Sequence, residues 1–202
     1  ISIKKQFQSK NEKIMKCNYY ILALFFLFSS CKEKITIYEI FLPLKINETS
    51  GLEFFNGNFI THNDSGGETI LYEFTEKGEI INEHFIMSCG ENNDWEDITS
   101  DNKHTFIANT GNNYGTRDNL NILILDKENN FTCKGEIKFV YKEQKNFKKR
   151  NKHRFDSEGI ISAGDSLVLF SKDRKNLITE LYSLPKIPGE YKIEPIYSYK
   201  VN

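Results

Sequence analysis

Asp94, Glu96 and Asp97 lie within four consecutive residues of "NDWEDITSDNKHTFIANTGNN" (93–113), which runs on through an apolar segment to Asn109 and Asn112. A fourth carboxylate in a similar setting, Glu158, opens "EGIISAGDSLVLFSKDR". Converging carboxylate and amide oxygens suit a hard cation such as Ca2+, which takes roughly six to eight of them. Asp94, Glu96, Asp97, Asn109, Asn112 and Glu158 are therefore the candidate metal ligands. A second polar set comprises His62, Asn63 and Asp64 in "HND", Arg117, and Lys172 and Asp173 in "SKDRK". These are candidate ligand-binding residues, because Arg117, Lys172 and Arg174 could clamp an anion by charge-assisted hydrogen bonds.

Each feature also has a structural reading. "DWED" can be a corner, with Trp95 packed between sheets and Asp97 bonding turn amides. "NTGNN" and "HNDSGG" are turn signals, since Asn and Gly tolerate positive φ. His62 has one neighbouring Asp and no further partner for base catalysis, and His84, His104 and His153 have none that the sequence names. "GDS" at 164–166 lacks the glycine–serine–glycine elbow of hydrolases. No phosphate-binding loop, dinucleotide fingerprint or Cys/His cluster occurs. No catalytic residue is assigned.

The elements that must position these groups read as strands. From Thr49 the chain is a series of short apolar runs broken by Gly, Asn and Asp, with no amphipathic helix. Sixteen Phe and ten Tyr suit strands better than helices. Three segments superpose: "SGLEFFNGNFITHNDSG", "EDITSDNKHTFIANTGN" and "EGIISAGDSLVLFSKDR". Each continues into two more strands, giving units over about 49–90, 94–143 and 155–201. Four strands repeated every 40–60 residues or so is a propeller-blade signature. Such sheets stack face to face and need apolar residues on both faces, which "NILIL" and "SLVLF" supply. The expected fold is all-β, a partial β-propeller over 49–202; a β-sandwich is the rival. Propellers typically have about four to eight blades, so the expectation is either a truncated chain or a partner that completes the ring, a homodimer giving six blades.

Residues 1–14 read as upstream sequence or a fragment edge. Met15 then opens "MKCNYYILALFFLFSSCKEK", in which Lys16 precedes an apolar run and small residues lead to Cys31. This is a signal-peptide pattern over 15–30, too short for the roughly 20 residues of a membrane span. "FSSC" resembles a bacterial lipobox, with Phe28 in place of the usual Leu. It makes Cys31 the lipidation site and residues 31–48 a tether and lead-in strand. The expected location is the bacterial cell envelope, membrane-anchored and extracytoplasmic. Cys89 and Cys133 remain in the body, as a disulfide or as two buried thiols. The net charge of −1 gives a nucleic-acid role no bulk support. The basic run "KNFKKRNKHR" (145–154) reads as a solvated loop, with an anion contact as its alternative.

"SGL…THNDSGG…LYEF", "DWEDI", "ANTGNNYGTRDNL" and "FDSEGI…LFSKDR…LYSLP" together resemble a group of secreted bacterial β-propellers of uncharacterised function. That group is similar to the SdiA-regulated and phytase-like (esterase-like) propellers. The resemblance covers most of 49–185 and implies a propeller fold, export, and calcium around Asp94–Asp97. Where such relatives carry Gly-Asp before the "GNN" turn, this chain has Ala108 and Asn109, one charge fewer. Three functions follow as expectations. One is a binding module for a glycan, peptide or partner protein. The second is a calcium-dependent hydrolase with Asp94, Glu96, Asp97 and Glu158 on metal and Lys172 and Arg117 on the anion. The third is a remnant of a longer propeller protein. Four scattered carboxylates favour the binder over the enzyme.

Overall fold

Strands with apolar side chains on both sides must be covered on both sides, and this sets the architecture. In the computed structural model, residues 39–86, 89–173 and 175–201 are described. The expected upstream segment, signal peptide, Cys31 and Arg174 lie outside them. The described chain contains thirteen strands and no helix. The first sheet is β1 (Thr49–Phe55), β2 (Asn58–Asn63), β3 (Ile70–Phe74) and β4 (Ile80–Phe85), paired antiparallel in chain order. The second sheet begins the same way with β5 (Asp97–Ser100), β6 (His104–Asn109), β7 (Leu120–Asp126) and β8 (Thr132–Tyr141). The third holds β9 (Ser157–Ala163), β10 (Ser166–Ser171), β11 (Ile178–Pro185) and β13 (Tyr197–Lys200).

The last unit departs from expectation. Its last stretch, "YKIEPIYSYK", which the four-strand pattern would make one strand, divides at Pro195. β12 (Gly189–Ile193) leaves the third sheet and adds to the second, parallel to β8, while β13 returns to β11. Proline has no N–H for a ladder, and it restricts the residue before it, so the strand breaks there.

The core lies between the sheets. Ile60 and Leu71 of the first sheet meet Ile98, Ile107, Leu123 and Leu125 of the second around a fully buried Trp95. Phe106, Ile122 and Phe139 on the opposite face of the second sheet meet Leu167, Leu169 and Tyr182 of the third. The outer face of the first sheet buries Ile70, Tyr72 and Phe74 beneath Ile46 and Leu42.

The opening strands β1, β5 and β9 pack side by side. Polar bonds fix their relative height. Ser50 Oγ donates to Glu96 O (2.6 Å), Ile160 N to Asp97 Oδ2 (2.9 Å), and Ser162 N to Thr99 Oγ1 (3.2 Å). Gly51 is required at this join: its φ is +77°, and a Cβ would stand 2.7 Å from Ile98 N. The pairing that the sequence left open is made, since Cys89 and Cys133 form a disulfide with Cα atoms 5.4 Å apart. It ties the segment after β4 to β8.

Closing a loop of 44 residues restricts the unfolded chain by about 2–4 kcal/mol. Cys89→Ala/Cys133→Ala should lower the unfolding free energy by about that much in urea titrations. An unchanged midpoint would show that the bridge adds nothing to this fold.

Candidate functional site

Because the strands alternate in direction, the starts of β5 and β9 and the ends of β2, β6 and β10 share one end of the molecule. Asp64 follows β2, Asp94 and Glu96 precede β5, Asp156 and Glu158 sit at the start of β9, and Lys172 follows β10. Two carboxylate triplets result, Asp64–Asp94–Glu96 and Glu96–Asp156–Glu158, with oxygens within 4.8 Å of one another in each. Glu96 belongs to both. One oxygen of Asp64, Oδ1, is buried with no hydrogen-bond partner among the described residues. Asp94 and Glu96 fold against Gly111, where a Cβ would lie 2.2 Å from Asp94 Oδ2 and 2.3 Å from Glu96 Oε1. Any residue larger than glycine there would force the two carboxylates apart.

Crowding like charges in a partly buried place holds protons on. Burial, then Glu158 and Asp94, push the Glu96 carboxyl up to about 8. Burial and Asp64 push Asp94 up to about 6, against the pull of Arg117. A divalent cation relieves the same repulsion, so oxygen number, charge and type all fit Ca2+. The set that would hold it is Asp64, Asp94, Glu96, Asp156 and Glu158.

The loop after β6 is the scaffold of this site. Asn109 Oδ1 accepts from Asp94 N (3.1 Å) and from Arg117 Nη2 (3.2 Å). Arg117 Nη1 donates to Gly111 O (2.7 Å). Asn112 receives Arg117 N on Oδ1 (2.9 Å) and donates Nδ2 to Phe155 O (2.8 Å), while its own N reaches Asp156 Oδ1 (2.7 Å). Thr110 Oγ1 adds a bond to Ser157 O (2.8 Å). The second sheet thus sets the height of the third sheet's acidic pair.

Of the residues expected from sequence, Asp64, Asp94, Glu96, Glu158, Arg117 and Lys172 come together, the last through an ion pair with Glu158 (3.0 Å). The others are engaged in holding the fold. Trp95 packs edge-on to His62 (5.4 Å), in keeping with the structural reading of "DWED", whereas Asp97 accepts from strand amides of β5 and β9 and bridges the two sheets instead of bonding a turn. His62 is fully buried, and burial pushes its imidazole down to about 4, leaving it a neutral core ring. Asn63 anchors the lead-in segment through Asn47 N and Lys45 O. Asp173 caps a turn by accepting from Lys175 N and Asn176 N. Asn109 divides its amide between this loop and Asn121 of β7, and Asn112 spends its amide on Arg117 N and Phe155 O. The basic run is partly neutralised: Arg154 pairs with Glu143 and Glu180, and Lys149 lies over Tyr114.

Asp156 is the site residue that sequence reading missed. Its signal is a repeated Asp-x-Glu, "DWE" at 94–96 and "DSE" at 156–158, at equivalent places in two units. No protein-family model matches the chain, and a search of curated proteins returns no match.

Raised carboxyl pKa values mean that the folded state binds protons more tightly than the unfolded state. That contribution to stability is complete below the ordinary values of 3.8 and 4.5 and is lost as pH rises through about 6 and about 8. The calcium-free protein should therefore melt at progressively lower temperature across that interval. Glu96→Gln should flatten the upper part of the slope and raise the calcium-free Tm at its alkaline end. Calorimetry in chelator checks this; parallel profiles for the two proteins would remove Glu96 as the titrating group.

Proposed function

We propose that this chain is a Ca2+-binding module built from propeller blades, exported, held in the cell envelope by a lipid on Cys31, and presenting its polar rim to a ligand. The observation that carries the reading is the convergence of five carboxylates from three sheets on one place, with Glu96 common to both triplets. Blade-like stacking is supported by the three antiparallel meanders and by the adjacency of their opening strands. The Cys89–Cys133 disulfide supports an oxidising compartment. Calcium titration should raise Tm by several degrees, and Glu96→Gln with Glu158→Gln should abolish the rise. A wild-type Tm indifferent to millimolar calcium would end the proposal. Cys31→Ser should move the protein from the membrane to the soluble fraction, and continued retention would remove the anchor.

A second reading has an observation in its favour. A carboxylate shared by two triplets is how two cations are set side by side for hydrolysis of a phosphate or ester, where bound metal would polarise the substrate oxygen. Arg117 and Lys172 flank the cluster and would orient an anionic group. The acidic set is denser than the four groups the sequence suggested. Calcium-dependent phosphate release from phytate or a small ester, lost in Glu96→Gln, would establish the enzyme over the binder.

The two terminal sheets expose apolar side chains. Leu52 and Phe54 stand out from the first sheet, and Ile161, Tyr197 and Tyr199 from the third. A second copy joined head to tail would cover both and give six sheets, repeating the internal joins. A sedimentation mass of one chain would refute that partner.

A further inference from the structure

Beside the carboxylate cluster, the second sheet carries a groove of about 660 Å³, within the roughly 300–1,000 Å³ range of small-molecule sites. Its floor is one rung of the sheet. Asn109, Asn121, Lys138 and Glu190 stand opposite one another across β6, β7, β8 and β12. Strand geometry alternates side chains between faces, so Asn109 and Asn121 continue apolar rows. Two residues along from Asn109 is Ile107, and beyond Asn121 come Leu123 and Leu125, all fully buried against the first sheet. Packing alone would continue those rows with Leu or Ile. Instead β6 and β7 turn polar at this rung, at the end nearest the carboxylates, and Lys138 and Glu190 extend it across β8 and β12, where Glu136 and Lys192 share the same face.

The polar groups are held in fixed orientations. Asn109 Nδ2 donates to Asn121 Oδ1 (2.8 Å), and Asn121 Nδ2 donates to Glu136 Oε2 (2.6 Å). Lys138 Nζ pairs with Glu136 Oε1 (2.9 Å). Beyond those bonds, by valence, Asn121 has an amide hydrogen and Lys138 has ammonium hydrogens to offer, and the carboxylates have lone pairs. The free donors of Asn121 and Lys138 and the acceptor oxygens of Glu190 follow one another at the strand spacing of about 4.8 Å. The rung itself is polar, and the half-buried Val140 and Tyr191 beside it give the groove an apolar wall. Four carboxylates, Glu91, Asp118, Glu136 and Glu190, outweigh Lys138 and Lys192 along the groove, so a polyanion would be repelled.

We infer that this groove binds a neutral, hydroxyl-rich ligand, a short stretch of saccharide, whose far end lies beside Arg117 and the carboxylate cluster. Each hydroxyl both donates and accepts, which is what a mixed row of amide, ammonium and carboxylate requires. The inference rests on the binding reading above and names its ligand class.

The test is calorimetric titration of the folded chain with cellotetraose, maltotetraose and chitotetraose, each in calcium and in chelator. At least one should bind. Asn121→Leu, which prolongs the row of Leu123 and Leu125, should weaken it about tenfold or more. Glu190→Ala, on an exposed edge strand, should also weaken binding and serves if Asn121→Leu folds poorly. Failure of all three saccharides, equal binding by both variants, or binding confined to a lysine-rich peptide would overturn the inference. Saccharide binding that is the same in chelator, with no calcium effect on Tm, would sink the calcium proposal while leaving this one standing.

Discussion

The lateral join of β1, β5 and β9 is the constraint on which the rest depends. Three separate sheets have no reason to bring their acidic termini together unless their opening strands are set at one height. Ser50, Asp97 and Thr99 do this with side-chain bonds from one sheet to the backbone of the next. Gly51 allows the backbones to approach closely enough for it. The carboxylates at 64, 94, 96, 156 and 158 are then neighbours as a consequence, and the loop after β6 fixes the residual freedom.

This arrangement sets stability against chemistry. Holding Glu96 among four other carboxylates costs the fold energy whenever the group is ionised, and Gly111 gives up side-chain packing to make room. The cost is offset elsewhere, by the buried faces on either side of the second sheet, by Trp95 and by the disulfide. The polar rung follows the same logic at Asn109 and Asn121, where it interrupts apolar rows that packing alone would continue.

Much of the strand layout was legible in the sequence. The run "NILIL" states that both faces are covered, whereas "SLVLF" is fully buried on one face and half-buried on the other, and turn residues such as Asn56-Gly57 mark the hairpins, with φ values of +48° and +87°. The fate of β12 was not legible. Pro195 shows that a strand breaks, but only tertiary contact decides which sheet takes the freed piece. At the site, residue type identified Asp94, Glu96 and Glu158, but it could not separate a carboxylate facing its neighbours from one bonding a backbone amide. Asp97 illustrates the limit: it lies next to Glu96 in the chain, and its oxygens go to Ile98 and Ile160 instead. Asp156 was passed over because its partner pattern becomes visible only when two units are aligned on Asp-x-Glu.

The transfer of β12 has a mechanical corollary. The stretch that links β11 to β13 is itself a hydrogen-bonded edge of the neighbouring sheet, so peeling the third sheet away must also strip that edge. These two layers are laced together and open as one cooperative foldon in amide exchange. Among the described residues the first layer has no such lacing strand; side-chain packing, a few polar bonds and one covalent bridge hold it, so its attachment depends on the redox state in a way that of the other two does not.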